Sequence, residues 1–531
     1  MQQVYPGTLA ELPRLLAASH GRRPAVIDAH PDTAGEGWDF ATLDAHASRV
    51  AQGLLAGGLG RGECVAQLSA DGPQALALLF GTAKAGGAYL GLNPRLAEDE
   101  LAFILEDSGA RWLFSGPDQT AVAQRLAQRL PQLERRIHLE IGDRGAPAGE
   151  WGFEDWCAEQ RGDDPLLPIA PEDLAAQMYT SGTTGLPKGV QLAHRSFFAV
   201  VRALRAAGDP WIGWSDRDVS LHNIPLFHIG GLWWALTSLS HGAPLVTLPA
   251  WHPAQALQAI ERERVTKACL VPAMIGMLLR EPRVRDTDVS SLGHLVYGGS
   301  PIPVPILEEG LEVLGCEFAQ IYGLTETGNT AVCLRPEDHR RPELLTAAGR
   351  PYPGVQLKVI DAAGQSLPSG AVGEICIRSP ANMLGYHGRP EATAETLREG
   401  WVHTGDAGYL NDEGYVFVSD RLKDMILVAG ENVYPAEIES VLQAHPRVAE
   451  VAVIGIPDEN WGESIHAVVV ATAGEEPAPA ELIEHCRGRL ADFKLPQSVA
   501  FAESLPRTPS GKLQKAKLRA PFWVGRDRQV N

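Results

Sequence analysis

Apolar residues recur at the spacing of an amphipathic helix in two Ala-rich stretches, near residues 45–57 and 120–130. Short runs of apolar and β-branched residues alternate with such stretches, as at 64–68, 245–248 and 268–271. Alternation of helices with short buried strands is typical of α/β layers with parallel sheets. The pattern therefore predicts an α/β body for the residues before about 350.

The pattern changes after that point. Short apolar runs at 355–360, 373–377 and 415–418 are separated by the turn sequences Asp-Ala-Ala-Gly at 361–364 and Asn-Asp-Glu-Gly at 411–414. Asp, Asn and Gly favour tight turns because they hydrogen-bond locally or adopt positive φ. This section is predicted to be antiparallel and barrel-like.

A smaller α+β unit is predicted from about residue 422. Its elements are a helix at 436–444, strands at 448–454 and 467–471, and a helix at 479–490. We expect a larger domain over residues 1–421, with its barrel-like part at about 345–421, and a mobile C-terminal domain over 422–531. The junction at 420–424 has no Gly/Ser linker, so it predicts a short hinge rather than a flexible tether.

Composition narrows the function classes. The 531-residue chain is 45% hydrophobic and 21% charged, as in an ordinary globular protein of several domains. Its net charge of −19 argues against nucleic-acid binding as the main function. Seven scattered cysteines without a Cys-x-x-Cys pair argue against a disulfide framework or a cysteine zinc site. With no leader segment at the N-terminus, they predict a reducing, cytoplasmic setting.

One long uncharged stretch raises the question of a membrane segment. Residues 219–260 contain no Lys, Arg, Asp or Glu. Prolines, glycines and histidines interrupt the stretch, however, and no run of about 20 residues is uniformly apolar. We predict a buried strand–helix–strand unit and no stable membrane insertion, with a membrane hairpin as the alternative.

A loop suited to phosphate lies at 179–190, with the sequence Tyr-Thr-Ser-Gly-Thr-Thr-Gly-Leu-Pro-Lys-Gly-Val. Its glycines let backbone N–H groups approach a polyanion, its hydroxyls add donors, and Lys188 adds positive charge. Pro187 and Gly189 flank that lysine, so the loop is not a Walker A loop, which ends in Gly-Lys-Ser/Thr. The alternative is a flexible surface turn.

Four further motifs follow this loop along the chain. They are Gln-Ile-Tyr-Gly-Leu-Thr-Glu-Thr at 320–327, Gly-Trp-Val-His-Thr-Gly-Asp at 400–406, Asp-Arg-Leu-Lys-Asp at 420–424 with Gly-Glu-Asn-Val-Tyr-Pro at 430–435, and Pro-Arg-Thr-Pro-Ser-Gly-Lys at 506–512. The set resembles the signatures of the adenylate-forming enzymes, which include acyl-CoA synthetases, nonribosomal adenylation domains and firefly luciferase. It is most similar to bacterial fatty-acyl-CoA synthetases. This resemblance implies an α/β fold: two α/β subdomains with parallel sheets, a β-barrel-like subdomain and a small mobile α+β C-terminal domain.

The resemblance also implies a site for Mg·ATP. Glu326 is implied as the Mg²⁺ ligand, with Thr183 beside it, and a hard carboxylate oxygen suits that ion. The alternative for Glu326 is a partner of a helix N-terminus. The implied ATP and AMP contacts are Thr180, Ser181, Gly182, Thr183, Thr184, Gly185, Lys188, Gly299, Ser300, Pro301, Tyr322, Gly323, Thr325, Asp406 and Arg421.

Two of these residues are assigned to the ribose. Asp406 has two acceptor oxygens, which suit a vicinal diol, and the resemblance implies that Arg421 assists it. The alternatives are an ordinary turn aspartate and a surface salt bridge from Arg421 to Asp420 or Asp424.

The last motif carries a lysine, Lys512, in a Pro/Ser/Gly-rich loop that can bring a point charge into a site. Adenylation gathers negative charge where the carboxylate meets the α-phosphate, and a cation stabilises that transition state. The resemblance implies that Lys512 is the catalytic lysine and that the C-terminal domain rotates about Lys423 between half-reactions. The neighbouring Lys515 and Lys517 are expected to be solvated surface charges.

A histidine in an apolar segment is the remaining catalytic candidate. Such a residue is commonly a satisfied core histidine, but the resemblance implies that His228 lies beside the acyl carboxylate and acts with Lys512 and Glu326. The implied acyl pocket consists of His228, Gly230, Trp233, Trp234 and Gly323. The two tryptophans fit the protein core equally well.

The implied reaction has two halves. A carboxylate and ATP give acyl-AMP and pyrophosphate, and a thiol then displaces AMP. We expect CoA as the thiol because the chain ends at Asn531, soon after Lys512, with no carrier domain attached. In some of the enzymes that this chain resembles, basic residues after the aromatic residue at the position of Phe493 hold the CoA phosphates. Here Lys494 is basic but Leu495 and Gln497 are not, which weakens the case for CoA phosphate contacts. The implied CoA contacts are Gly430, Glu431, Trp461 and Phe493.

The predicted function is therefore a medium- or long-chain fatty acyl-CoA synthetase that uses Mg²⁺, ATP and CoA, with a homodimer considered as its assembly. The alternatives are an aryl or other small-acid CoA ligase and an acyl-AMP-forming enzyme that serves a separate carrier protein. A non-catalytic nucleotide-binding relative is a third. Joint retention of Glu326, Asp406, Arg421 and Lys512 argues against that last alternative.

Overall fold

A computed structural model describes residues 6–29, 37–139, 146–147, 150–180, 187–329, 331–428, 431–458, 461–472, 476–507 and 513–524. The chain divides into two units. Unit 1 comprises Met1–Gln356 and Ile377–Val402, and unit 2 comprises Leu357–Cys376 and His403–Asn531.

Helices α1 to α15 of the described residues are, in chain order, Leu12–His20, Phe40–Ala56, Pro73–Lys84, Glu98–Asp107, Thr120–Arg129, Phe153–Ala158, His194–Ala206, Ile229–Ser240, Pro253–Glu263, Pro272–Leu279, Val304–Leu314, Pro390–Thr396, Pro435–Gln443, Pro479–Cys486 and Lys515–Arg519. Local sequence sets several of their ends. The Asp39 side chain accepts a 2.7 Å hydrogen bond from the N–H of Thr42 and caps α2. Helix α4 carries three acidic residues in its first turn, where they complement the helix dipole.

Strands β1 to β27 are Pro24–Asp28, Gly37–Asp39, Cys64–Leu68, Ala88–Gly91, Trp112–Ser115, Arg135–His138, Trp151–Gly152, Leu174–Thr180, Lys188–Ala193, Ser220–His222, Leu245–Thr247, Lys267–Leu270, His294–Gly298, Glu317–Tyr322, Val332–Leu334, Arg350–Pro351, Gln356–Ile360, Gly373–Arg378, Gly385–Tyr386, Leu397–Arg398, Trp401–Leu410, Val416–Arg421, Ile426–Val428, Glu431–Val433, Val448–Asp458, Gly462–Ala471 and Ser498–Phe501.

Unit 1 contains two large sheets with parallel centres. The nine-stranded sheet has the order β16-β15-β14-β13-β12-β10-β11-β1-β2, and the strands from β14 to β1 pair in parallel. The eight-stranded sheet has the order β19-β9-β8-β4-β3-β5-β6-β7, with parallel pairs from β8 to β7. These sheets confirm the two predicted α/β subdomains.

The cores of unit 1 explain why its helices form. One cluster packs apolar faces of α1, α2, α3 and α8 together, with Leu16, Leu54, Phe80 and Leu236 fully or almost fully buried. A second cluster lies between the nine-stranded sheet and the helices α9, α10 and α11. Burial of this kind supplies most of the stability that an isolated amphipathic helix lacks.

The packing shows what the uncharged stretch at 219–260 forms. It forms β10, α8, β11 and the start of α9, and β10 pairs in parallel with β11. The predicted strand–helix–strand unit is therefore confirmed. Across the described residues, every helix is too short or too polar to cross a membrane.

Unit 2 contains two small sheets. In the first, β17, β18 and β21 are neighbours and β22 pairs antiparallel with β21, as the predicted barrel-like section requires. In the second, the order is β24-β23-β26-β25, with β27 parallel to β26. Helices α13 and α14 contribute Ile438, Leu442 and Leu482 to its core. This is the predicted α+β unit.

Some predicted element ends differ from the structure. The strand predicted at 448–454 continues to Asp458, and its partner begins at Gly462 rather than 467. The helix predicted at 479–490 ends at Cys486, because Arg487 adopts extended backbone angles. Residues 357–376 and 403–421 fall in unit 2. The domain boundary between residues 421 and 422 stays a prediction.

Candidate active site

Four of the predicted ATP and AMP contacts, Gly299, Ser300, Pro301 and Tyr322, meet at one edge of the nine-stranded sheet, where the resemblance implies that adenine binds. Strand β13 ends at Gly298 and β14 at Tyr322, and the two run in parallel with Gly298 opposite Ile321. The exposed segment 299–301, with Gly299 at φ +84°, follows the first strand. Ligands of open α/β sheets bind at such carboxyl edges. The fold therefore brings Gly299, Ser300 and Pro301 beside Tyr322.

The turn after Tyr322 requires glycine. A Cβ atom on Gly323 would lie 1.8 Å from the backbone oxygen of Asn329, so a side chain has no room there. The N–H of Asn329 in turn donates a 2.9 Å hydrogen bond to the carbonyl of Leu324. This close approach holds the turn that leads to Thr325 and Glu326.

Glu326 lies in a 3₁₀ turn, Thr325–Thr327. The hydroxyl of Thr327, rather than the Glu326 carboxylate, accepts the 2.9 Å hydrogen bond from the N–H of Leu324 that starts this turn. Glu326 Oε1 instead accepts a 2.8 Å hydrogen bond from the hydroxyl of Tyr386. The carboxylate is thus fixed by a side chain and not by helix capping.

Tyr386 connects Glu326 to the hairpin of β8 and β9, which flanks the predicted phosphate loop. It lies on β19, which pairs antiparallel with β9 so that Tyr386 is opposite Val190. The Nζ of Lys188 lies 5.2 Å from the centroid of its ring, within cation–π range. Burial, and next the negative charge of Glu326, raise the pKa of Tyr386, so the phenol keeps its proton and remains a donor. Sequence reasoning missed Tyr386, because a tyrosine after a glycine carries no local functional signal.

The central part of the phosphate loop lies outside the described residues, and with it the predicted contacts Ser181, Gly182, Thr183, Thr184 and Gly185. Its flanks are well placed for a loop between antiparallel strands. Thr180 ends β8 and Lys188 begins β9, and the two residues are directly opposite each other. The contacts predicted for these residues stay predictions.

The predicted ribose pair is formed within unit 2. Asp406 on β21 and Arg421 on β22 are opposite each other in antiparallel register. Arg421 Nε lies 2.6 Å from Asp406 Oδ1, and the aspartate side chain is 5% exposed against 42% for the arginine. The alternative partners make other contacts: Asp424 pairs with Arg519 at 3.2 Å. The Asp420 carboxylate accepts backbone hydrogen bonds, from the N–H of Arg421 at 2.7 Å and from the N–H of Ala436 at 2.9 Å.

The turn that presents Asp406 is held by its neighbours. The hydroxyl of Thr404 donates to the carbonyl of Ile375 at 2.7 Å and accepts from the N–H of Asp406 at 3.0 Å. Gly405, at φ +67°, donates its N–H to Glu374 Oε1 at 3.1 Å. An aspartate on so fixed a turn is preorganised to accept hydrogen bonds from a ligand.

One expectation near the predicted catalytic lysine, Lys512, is wrong. Lys515 is not a solvated charge: its side chain is 11% exposed, and its Nζ lies 2.9 Å from Glu439 and 3.5 Å from Asp420. Burial lowers the pKa of Lys515, but the two carboxylates outweigh burial and raise it overall. A buried ammonium is tolerated because it is paired. Sequence reasoning missed this pair because Glu439 lies on α13, far along the chain.

The remaining C-terminal candidates are only partly described. Lys512 and Gly430 lie outside the described residues. Lys423 lies in a 3₁₀ turn, Leu422–Asp424, and Glu431 is exposed at the start of β24. Trp461 is 54% exposed and Phe493 40%, so both aromatic faces are accessible.

Lys494, the cation nearest these aromatic residues in sequence, is neutralised. Its Nζ lies 2.9 and 2.7 Å from the two carboxylate oxygens of Glu437. A phosphate ligand would have to compete with this carboxylate. The pairing therefore weakens the case for CoA phosphate contacts further.

At the predicted acyl contacts His228 and Gly230, the first turn of α8 lies against the turn at Asn329. His228 precedes α8 and is half-buried, with its ring centroid 4.5 Å from that of Phe227. A Cβ on Gly230 would have Asn329 Oδ1 as its nearest neighbour, at 3.8 Å, so this spot is open. Asn329 is buried, and its Nδ2 finds no acceptor among the described residues. Sequence reasoning missed Asn329.

Trp233 and Trp234 lie deeper on the same helix. Both are buried, and the indole N–H of Trp234 donates to the carbonyl of Leu221 at 3.0 Å. This hydrogen bond gives Trp234 a structural role that does not depend on any contact with an acyl group. The acyl-pocket assignment stays a prediction.

Comparisons with known proteins agree with this arrangement. The model of the AMP-binding enzyme family matches residues 15–387, and that of the AMP-binding enzyme C-terminal domain matches residues 437–512. The fatty acid–[acyl-carrier-protein] ligase ScoC of Streptomyces coeruleorubidus is 47% identical over 526 residues, which cover 99% of this chain and 98% of that protein. A feruloyl-CoA synthase of an Amycolatopsis species is 38% identical over 490 residues, 92% of this chain and 94% of its own. Among solved structures, ATP-bound MatB from Rhodopseudomonas palustris matches with a TM-score of 0.87 at 32% identity, covering 97% of this chain and 99% of that one.

Proposed function

This chain belongs to the AMP-binding enzyme family, and we propose that it joins a fatty acid to a phosphopantetheine thiol by way of an acyl adenylate. The family match supports activation of a carboxylic acid through an adenylate. Two relatives are named as a fatty acid ligase and a feruloyl-CoA synthase, and a solved relative is described with ATP bound. The identity of the acid and of the thiol is the proposed part. The observation that carries it is the 47% identity to a fatty acid–[acyl-carrier-protein] ligase over 99% of the chain.

The first step is attack of the carboxylate oxygen on the α-phosphate, with pyrophosphate as the leaving group. Glu326 fits a Mg²⁺ site because one of its oxygens is fixed by Tyr386, and the carboxylate remains available to a hard cation. Bound there, Mg²⁺ would neutralise phosphate charge. Lys188 lies at the start of β9, near Tyr386, and is proposed to add positive charge for the phosphates.

In unit 2, Asp406 is proposed to accept hydrogen bonds from the ribose hydroxyls. Arg421 holds one carboxylate oxygen of Asp406 and so fixes its orientation. Lys512 is proposed to stabilise the charge that develops between carboxylate and α-phosphate. The residues on either side of its loop, Arg507 and Leu513, pair in an antiparallel bridge.

In the second step the thiol attacks the acyl carbonyl and AMP leaves. We propose the phosphopantetheine thiol of a carrier protein as the acceptor. The fatty acid–[acyl-carrier-protein] relative favours it. The Lys494–Glu437 ion pair is a weaker argument in the same direction, because CoA phosphates would compete with a carboxylate for that lysine. Exposed Trp461 and Phe493 can pack against a pantetheine arm in either case.

Free CoA, the acceptor predicted from the sequence, is the second candidate. The feruloyl-CoA synthase relative supports both CoA and an aryl acid. The two candidates share the adenylation step, so they are separated only by the acceptor and by the acid. A single assay with all acceptors resolves them.

The test is a mass-spectrometric panel. The full chain is incubated with Mg·ATP and acids of graded length, aliphatic and aryl, together with holo acyl-carrier protein, with CoA, or with neither. With an aliphatic acid, we expect the acylated form of the carrier protein to appear faster than acyl-CoA. Acyl-CoA alone, or a preference for aryl acids, refutes the corresponding part of the proposal. Lys512→Ala is expected to abolish adenylate formation, with Lys517→Ala as the matched control.

A further inference from the structure

Three side chains with metal-binding atoms meet in unit 2, outside the groups assigned to catalysis. They are Glu374, Cys376 and His403, and their ligand atoms all lie within 4.8 Å of one another. The distances are 3.0 Å from His403 Nδ1 to Glu374 Oε2 and 3.6 Å from the same nitrogen to Cys376 Sγ. We propose that this cluster, the β18–β21 triad, is a binding site for a thiophilic divalent cation such as Zn²⁺.

The backbone explains why the three groups converge. Glu374 and Cys376 are two residues apart on β18, so their side chains point to the same face of the sheet. His403 lies on β21, the neighbouring strand. Two ligands at alternate positions of one strand and a third on the next supply three of the four ligands of a tetrahedral site, and the fourth position is left for water or a ligand from solution.

The distances fit such an ion. Bonds from Zn²⁺ to nitrogen, oxygen and sulfur of about 2.0 to 2.3 Å place tetrahedral ligand atoms about 3.3 to 3.7 Å apart. The Cys376–His403 separation already has this value, and the Glu374–His403 separation would widen by a few tenths of an ångström. Little rearrangement of β18 or β21 is needed.

Charge and access fit as well. Thiolate and carboxylate together neutralise the charge of a divalent cation, and a neutral imidazole completes the ligand set. Such a set binds soft or borderline metal ions in preference to Mg²⁺. Cys376 is fully buried, whereas the side chains of His403 and Glu374 are 11% and 22% exposed. The thiol is shielded, and the other two ligands leave an approach from solvent.

Binding has a defined proton balance. The Cys376 thiol loses its proton to solvent as sulfur binds the cation. His403 moves a proton from Nδ1 to Nε2 and gives up the hydrogen bond with Glu374 Oε2. The other oxygen, Oε1, keeps its hydrogen bond with the N–H of Gly405. A bound cation would therefore join β18 to β21 directly beneath the turn that presents Asp406.

Linear spacing gives no sign of this cluster, since His403 is far from Cys376 in sequence, and the expectation of no cysteine zinc site rested on that spacing. The proposal does not depend on the substrate or on the acyl adenylate. It is tested by metal binding, so its failure leaves the proposed function untouched.

Co²⁺ is the probe, because thiolate ligation gives a near-ultraviolet charge-transfer band. The full, untagged chain is dialysed against chelator and titrated with Co²⁺. We expect one Co²⁺ per chain with a thiolate band, displacement by Zn²⁺ but not by Mg²⁺, and a Zn²⁺-dependent rise in the midpoint of thermal unfolding. Absence of the band at saturating Co²⁺ overturns the proposal.

Variants assign the site. Cys376→Ser is expected to abolish the band and to weaken Co²⁺ binding by more than about tenfold. Cys486→Ala removes another buried cysteine of unit 2 and is expected to bind like the unmodified chain. If circular dichroism shows that Cys376→Ser is unfolded, Glu374→Gln replaces it, because the amide keeps an acceptor for the Gly405 N–H. In Glu374→Gln the Cys376 thiolate remains, so the expected result is Co²⁺ binding weakened by more than about tenfold rather than loss of the band. A band that survives in folded Cys376→Ser, unweakened Co²⁺ binding in Glu374→Gln, or loss of the band in Cys486→Ala overturns the assignment.

Discussion

Replacing Tyr386 by Phe removes the hydroxyl that hydrogen-bonds Glu326 and tests what fixes that carboxylate. The hydroxyl donates to Glu326 Oε1 at 2.8 Å. A hydrogen bond to a charged group contributes about 1.5–3 kcal/mol, and about 1.4 kcal/mol corresponds to a factor of ten. Because the tyrosine is only half-buried, we take the lower end and expect about a tenfold effect.

The direction follows from two opposed effects. The hydroxyl withdraws some charge from the carboxylate, which weakens its attraction for Mg²⁺ slightly. It also holds the carboxylate in one orientation, and a free glutamate side chain has up to about 2 kcal/mol of rotamer entropy to lose. Orientation is the larger effect, so Tyr386→Phe should raise the Mg²⁺ concentration needed for half-maximal activity.

The assay measures pyrophosphate release against Mg²⁺ concentration for the unmodified chain and the variant. The ratio of the two should stay constant from neutral to mildly alkaline pH. The pKa of Tyr386 is raised, chiefly by burial, so the phenol remains protonated throughout that range. Tyr89→Phe is the control, since the Tyr89 hydroxyl donates to neutral Gln67 in the core at 2.7 Å. An unchanged or lower Mg²⁺ requirement in folded Tyr386→Phe would refute the reasoning.

Three further predictions concern other parts of the chain. Gly323→Ala places a Cβ 1.8 Å from a backbone oxygen and should abolish adenylation. Gly230→Ala places a Cβ in ordinary van der Waals contact, 3.8 Å from Asn329 Oδ1, and should alter only the choice of acid; both are measured in the acid panel. Arg421→Gln frees the Asp406 carboxylate and should raise the KM for ATP about tenfold in steady-state kinetics. Burial lowers the pKa of His194 to about 4, so the folded state binds fewer protons than the unfolded state below pH 6.5. Stability should therefore fall by up to about 3 kcal/mol between pH 6.5 and 4 in denaturant titrations, and less in His194→Gln.

Each of these has an outcome that contradicts it. Equal loss of activity in Gly323→Ala and Gly230→Ala would mean that backbone approach is not the cause. An Arg421→Gln variant with normal KM and reduced kcat would point away from ribose binding. For His194, whose Nδ1 accepts from the N–H of Leu9 at 3.1 Å, an unchanged pH slope in the variant would show that other groups titrate.

Much of the fold could be predicted because it is encoded locally. The 3.6-residue period marks α2 and α5, and the β-rich runs mark β3, β11 and β12 to within a residue or two. Glycine and asparagine turns marked the change to the barrel-like section. The resemblance of the motifs supplied the family, which the AMP-binding enzyme model confirms. It also named Asp406 and Arg421 as ribose contacts, and the register of β21 and β22 places these two residues opposite each other.

The sequence by itself determined the elements, their α/β order and the chemical types at the site, because periodicity and turn chemistry depend on neighbouring residues. Only the tertiary structure decided which distant residues meet. Tyr386 reaches Glu326 because β19 pairs with β9, and Lys515 is buried because α13 brings Glu439 to it. Cys376 and His403 meet because β18 lies beside β21. Such contacts depend on strand pairing and packing across long separations, which no local pattern specifies.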